Sequence, residues 1–242
     1  VSIFHVLITG AAGGIGSALA HHFAKSGWLV SGIDVGATGI DAPIYRHYQA
    51  DVTDEPALSN IFDTATRRAP LDAVIANAAL TDLDHRLAVD LDYGTWQRIM
   101  RVNIDGAFLT GRLAARHMRG QGRGNIAFVT SSLAFLDQAK SNDAPYCASK
   151  SAVEMFARVL ALEVAAERIN VNTLFPSVKI NTGFFAHLPE AERESLARPD
   201  LLNDTAMFLA SLAPGTLTGM SLDQQKWDDD GAYRESLIGA TS

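Results

Sequence analysis

A doubly wound α/β fold, with a mainly parallel sheet of seven strands between layers of helices, is predicted by three observations. Short apolar runs alternate with longer helical patterns, several of the runs are almost continuously apolar, and the polar clusters fall at their carboxyl ends. Runs such as "DAVIAN" and "NIAFVTS" suit strands covered on both faces, which is the condition of a parallel sheet. Regular alternation with helices means βαβ units. In sheets of this kind ligands bind outside the carboxyl ends of the strands.

The elements follow in order. Phe4–Thr9 is the first strand, and it runs directly into a glycine loop and the helical stretch Ile15–Ser26. Trp28–Ile33 and Arg46–Ala50 are the next strands. "DVTD" (Asp51–Asp54) then reads as a loop in which Asp54 caps a helix behind Pro56, with Ala57–Arg67 as its body. Ala73–Asn77 is a strand, Thr95–Arg119 one long helix, and Asn125–Thr130 a strand. Tyr146–Ala166 is a helix, Asn170–Phe175 a strand, Leu201–Leu212 a helix and Leu217–Leu222 the last strand. "KWDDDG" (Lys226–Gly231) reads as a solvated acidic turn. No repeat, low-complexity tract or linker divides the chain, so residues 1–242 form a single domain.

Composition narrows the function classes. The chain has 242 residues, 48% of them hydrophobic and 19% charged, enough apolar material for a large core. A net charge of −7 opposes a general affinity for nucleic acid, whose phosphates need a basic footprint. No apolar run approaches the ~20 residues that a membrane span requires. Cys147 is the only cysteine and reads as a packing residue. With "VSIFHVLITGAAGG" lacking a signal-like region, the expectation is a cytoplasmic protein. Seven histidines show no ligand spacing, and adjacent His21 and His22 point in different directions, so no metal is expected.

"VLITGAAGGIGSALAHHFA" places a glycine loop between a strand and a helix. Gly10, Gly14 and Gly16 let the backbone turn tightly and approach a pyrophosphate, with the first amides of the helix, from Ile15 on, facing the phosphates. The second strand ends on Asp34, whose carboxylate can accept both ribose hydroxyls of an adenosine and repels a 2′-phosphate. No arginine or lysine follows closely, so the expected cofactor is NAD.

"TGAAGGIG" (Thr9–Gly16), "DVTD", "NAA" (Asn77–Ala79), "VNIDGAF" (Val102–Phe108), "VTSS" (Val129–Ser132), "YCASK" (Tyr146–Lys150) and "INVNTLFP" (Ile169–Pro176) occur in this order over nearly the whole chain. In these motifs the sequence resembles the classical short-chain dehydrogenases/reductases, which have a Rossmann-like fold. The resemblance implies that Asp51 and Val52 flank the adenine, Asn77 lies beside the cofactor ribose and Thr182 near the nicotinamide amide. It implies that Lys150 bonds the nicotinamide ribose, Ser132 orients the substrate oxygen (with Ser131 as its competitor), and Asn103 holds a water joining Lys150 to solvent. A tetramer is implied too, with a dimer as the alternative.

The chemistry centres on Tyr146 and Lys150, four residues apart on one helix face. A free tyrosine, with a pKa of roughly 10, is a poor base at neutral pH. An ammonium one turn away, with the positive charge of an oxidised nicotinamide, favours the phenolate. Tyr146 is thus the expected acid/base in hydride transfer between NAD and a secondary alcohol. Reduction of a cyclic or apolar ketone with NADH is the reverse reading, and a non-catalytic NAD-binding regulator is the reading from another class. The sequence departs from the family pattern around the substrate. Ser132 precedes Tyr146 by 14 positions instead of 13, Phe135 replaces a glycine, "PS" (Pro176–Ser177) replaces Pro-Gly, and Thr182 comes one position late. A lid over about 177–198, carrying Phe184, Phe185, Lys179 and His187, and the loop "AFLDQAKSNDAP" suggest a hydroxylated substrate such as a sugar or polyol. The helix Ser151–Glu167 is apolar over more than one face, as a subunit contact requires.

Overall fold

The computed structural model describes residues 3–239. Seven strands form one parallel sheet: β1 (His5–Thr9), β2 (Leu29–Asp34), β3 (Tyr45–Gln49), β4 (Ala73–Ala76), β5 (Gly124–Val129), β6 (Ile169–Phe175) and β7 (Ser221–Asp223). Their spatial order is β3-β2-β1-β4-β5-β6-β7. The order reverses between β1 and β4, which pair through Val6–Ala73, Leu7–Val74 and Ile8–Ile75, and a crevice opens above that switch point.

The strands are apolar on both faces because each face meets helices. Leu7 of β1 joins a core with Leu58, Phe62, Leu113, Met118, Phe128 and Val153. These come from β5 and from α2 (Glu55–Arg68), α4 (Gly106–Arg119) and α5 (Ala144–Glu163). Val6 and Ile8 face the opposite core with Leu19, Phe23, Trp28, Leu209 and Trp227. That layer is built by α1 (Gly14–Lys25), α7 (Asn203–Ala210), α8 (Gln224–Asp229) and α9 (Gly231–Gly239). Asp54 caps α2 as expected, accepting from Ala57 N at 3.0 Å.

Three segments differ from the sequence reading. The long helix Thr95–Arg119 is two helices, α3 (Tyr93–Met100) and α4, joined by a π turn at Arg101–Asp105. The wider turn brings the Asn103 side chain to the Leu80 peptide, donating to Leu80 O at 2.9 Å and accepting from Leu80 N at 2.7 Å. β7 begins later than Leu217, because Asn172 takes the place of a strand partner there. Its amide donates to Leu217 O at 2.8 Å and accepts from Met220 N at 3.0 Å. The acidic "KWDDDG" is mostly helical, not a turn: Asp223 caps α8, and Trp227 is buried against Phe208 with ring centroids 4.8 Å apart. Asp228, Asp229 and Asp230 do remain exposed.

Candidate active site

The carboxyl ends of β1, β2, β4, β5 and β6 surround a cleft of about 540 Å³. That volume lies within the usual range for small-molecule sites. One half is the glycine loop. Gly10 and Gly14 adopt φ of +70° and +50°, a region that a side chain disfavours. Gly16 is demanded by contact: a Cβ there would lie 1.9 Å from Gly10 O. Helix α1 starts at Gly14, and Gly13 before it offers no side-chain cap, so its first amides are free to meet an anion. Ile15 lines the same wall. Asn77, one residue past β4, ties the loop down by donating to Thr9 O at 3.1 Å and Gly10 O at 3.3 Å.

Asp34, at the end of β2, lines the cleft with its carboxylate held by two backbone amides, Ala12 N at 2.9 Å and Gly36 N at 2.8 Å. Each oxygen keeps lone-pair capacity for a further donor. Asp51 and Val52 follow β3 by two and three residues and lie outside the residues that line this cleft. Asp51 is exposed and turned onto Thr53 N at 2.8 Å, and Val52 is buried against Gly106.

The other half is chemical. Tyr146 and Lys150 rise from the first turns of α5, with Lys150 Nζ 5.6 Å from the phenol ring centre. Lys150 is buried, and its ammonium donates to Val129 O at 2.8 Å. Burial lowers its pKa to about 8, opposed by the Glu154 carboxylate. Burial likewise pushes Tyr146 up to about 12; a hydrogen bond with Ser131 pulls it down, while Asp143 and Cys147 add to the rise. Burial of the phenol thus works against the expected lowering, while the Lys150 ammonium keeps its charge and two further N–H donors beside it.

Ser131, the competitor of Ser132, is the serine that pulls the phenol's pKa down, and its oxygen accepts from Leu133 N at 3.2 Å. Ser132 lines the cleft, and among the described residues its hydroxyl has no hydrogen-bond partner. Asn103 is buried beside α5, but its two amide protons are committed to Leu80 O and Ser149 Oγ, so those protons cannot also hold a relay water.

Past β6 the chain folds over the cleft. Thr182 caps a short 3-10 turn, Gly183–Phe185, and packs so near Gly14 that an added Cβ would come within 3.0 Å of its methyl. Phe184 meets Tyr146 edge-on at 5.8 Å. The segment includes α6 (Glu190–Glu194) and is pinned at its base by an Ile180–Ala197 bridge.

Two groups escaped the sequence reading. Glu154, one turn beyond Lys150, accepts from Thr130 Oγ1, Thr173 Oγ1 and Ser221 Oγ, joining α5 to β6, to the start of β7 and to the residue after β5. Its i+4 spacing from Lys150 was the available signal. His85 comes from an irregular loop and reaches Asp143 at 3.5 Å. No periodicity marked it.

The family model described as short chain dehydrogenase matches residues 4–193. Cis-4-hydroxycyclohexanecarboxylate dehydrogenase from Sinomonas cyclohexanicum is 33% identical over 234 residues, covering 89% of this chain and 92% of that protein. Galactitol 2-dehydrogenase (L-tagatose-forming) from Cereibacter sphaeroides is 31% identical, covering 89% and 91%. Among solved structures, a short-chain type dehydrogenase/reductase from Mycobacterium marinum superposes with a TM-score of 0.81 at 27% identity, covering 92% of this chain and 94% of the other.

Proposed function

Since the chain belongs to the short-chain dehydrogenase family, as an oxidoreductase using a nicotinamide dinucleotide on alcohol or carbonyl substrates, we propose that NAD is its cofactor and a secondary alcohol its substrate. Membership as an enzyme removes the reading as a non-catalytic regulator. The observation that carries the finer proposal is one cleft joining the glycine loop and Asp34 to Tyr146, Lys150 and two serines.

The residues present fit the dinucleotide. Gly10, Gly14 and Gly16 leave room for a backbone-hugging pyrophosphate, met by the uncapped amides of α1 at Ile15 and its neighbours. Asp34 takes the adenosine ribose and disfavours the extra phosphate of NADP by like-charge repulsion. Asn77, Lys150 and Thr182 hold the nicotinamide half. When bound in its oxidised form, the cofactor supplies a hydride acceptor and a positive ring charge.

Tyr146 takes the hydroxyl proton of the substrate at its Oη. Lys150 supplies the nearby ammonium, Ser131 holds the phenol and Ser132 orients the substrate oxygen. Asn103 acts by fixing the Leu80 loop and Ser149 against α5. Residues 177–198 serve as a lid that excludes water. A sugar, polyol or cyclic secondary alcohol suits the polar groups of this lid, and the names of the two similar dehydrogenases support that class. The cytoplasm is the proposed location, supported by the lone Cys147 and by the lack, among the described residues, of a helix long and apolar enough to cross a membrane.

Purified protein supplied with NAD and a panel of polyols and cyclic alcohols is expected to form NADH. Tyr146→Phe should lower kcat by about 10²–10⁴, the usual contribution of a general base. Asp34→Ser should relax the preference for NAD over NADP. An undiminished rate in Tyr146→Phe rejects the mechanism, an unchanged cofactor preference in Asp34→Ser rejects Asp34 as its source, and a wild-type preference for NADP rejects the choice of NAD.

A further inference from the structure

We propose that the outer end of the cleft receives a carboxylate, so that the preferred substrate is a hydroxy acid; this rests on the reading of the cleft as an alcohol-oxidising site.

The chain carries a net charge of −7, yet the charged side chains lining the substrate half of the cleft sum the other way. Lys140, Lys150 and Lys179 stand against one carboxylate, Asp143, while Asp34 lies at the cofactor end. Asp143 is buried and already matched, by Lys140 Nζ at 3.1 Å and His85 Nδ1 at 3.5 Å. Lys150 is engaged with Val129 O. Lys179 alone is left over. Among the described residues no carboxylate lies within ion-pair distance of it, and its Nζ sits above the Phe185 ring, 5.8 Å from the centre.

The position of this ammonium is fixed by the fold. Lys179 follows β6 by four residues and precedes buried Ile180, and its carbonyl accepts from Ala197 N at 3.0 Å. Asn181 N donates to Ala197 O at 2.8 Å, completing the bridge at the lid base. The charge therefore projects from an anchored segment, not from a loop tip. Phe184, beside Lys179's partner ring, touches Tyr146. A carbon skeleton lying along Phe184 and Phe185 would have its hydroxyl at the phenol and its far end at the ammonium.

Closing such a skeleton over Lys179 removes water from the ammonium. A carboxylate replaces that water with a charge-assisted hydrogen bond, whereas an ester or methyl group leaves the charge unmet. Lys179 is exposed, so solvent screens the contact and the expected discrimination is held to about tenfold, the scale of one hydrogen bond to a charged group.

The test uses the full chain with saturating NAD and three matched pairs: 3-hydroxybutyrate and its methyl ester, 4-hydroxycyclohexanecarboxylate and its methyl ester, gluconate and sorbitol. In the pair turned over fastest the acid should be favoured about tenfold in kcat/KM. Lys179→Met should remove most of that preference by raising KM for the acid, and Lys179→Arg should restore it. Equal or greater turnover of the neutral member overturns the inference, as does an equal loss on both members in Lys179→Met. A raised KM for NAD with the acid preference intact also overturns it, by assigning the ammonium to the cofactor. Tyr146-dependent oxidation of neutral alcohols without an acid preference sinks this inference alone. No NADH from any pair, nor from the alcohol panel, sinks the underlying reading with it.

Discussion

Tyr146 and Lys150 titrate away from their ordinary values in opposite directions, the phenol to about 12 and the ammonium to about 8, both chiefly through burial. On raising the pH, Lys150 is the first of the two to lose its proton, near pH 8, and from there on the pair can accept one. Alcohol oxidation needs the pair to accept a proton. Its kcat/KM should therefore climb about tenfold per pH unit below the midpoint and level off above it, while carbonyl reduction falls over the same range. Glu154 sets where this happens. Its carboxylate stabilises the Lys150 ammonium, so Glu154→Gln should move the inflection to lower pH, with most of the strand-end hydroxyl contacts still available to the amide. A pH–rate profile measured from about 6 to 10 decides the matter, since it brackets the Lys150 titration near 8. An inflection that stays in place or moves upward would show that Glu154 acts only by packing.

The π turn between α3 and α4 is the element that most directly links fold to site, because it carries Asn103 to both the Leu80 loop and Ser149 of α5. Asn103→Ala strands the Leu80 amide and carbonyl together, and each unmet buried polar group costs about 1–3 kcal/mol. Urea unfolding should report a loss of that order, while Asn103→Ala loss of only a few tenths would show that water replaces the bonds. The turn also marks the limit of what a sequence conveys. Strand and helix identities were legible because apolar runs and the glycine spacing are local signals, and the glycine loop, Asp34, Tyr146 and Lys150 indeed line one cleft. The π turn was not legible, since the bond it serves is to a residue 23 positions away. The late start of β7 has the same origin, in an Asn172 side chain that substitutes for ladder bonds. Sequence alone leaves Ser131 and Ser132 in competition for a geometric reason. The strand ends there in a 3-10 turn, so two-residue alternation no longer says which hydroxyl faces the phenol.

For the whole molecule the unresolved demand is the outer face of α5. One side of this helix buries Val153, Ala157, Leu160 and Ala161 against the sheet. The other leaves Met155 66%, Val159 42% and Leu162 76% exposed, at i, i+4 and i+7, beside Phe108 of α4 at 43%. These fall on one stripe, which supports the homotetramer, or dimer, inferred from the family. Burying each such side chain is worth about 1.5–3 kcal/mol, and two-fold symmetry counts every one twice. This gain works against the repulsion between copies that each carry a charge of −7. Met155→Glu with Leu162→Glu places four carboxylates on a symmetric contact and should yield a monomer in sedimentation velocity. Val89→Glu, on a loop residue 89% exposed, should leave the assembly intact. Because α5 holds Tyr146 and Lys150 in its first half and the stripe in its second, assembly should also stabilise the helix that bears the site. The wild-type Tm should then rise with protein concentration, by mass action, and the Tm of the double variant should not. A wild-type chain that sediments as a monomer, or a double variant that stays assembled, would rule this face out as the contact.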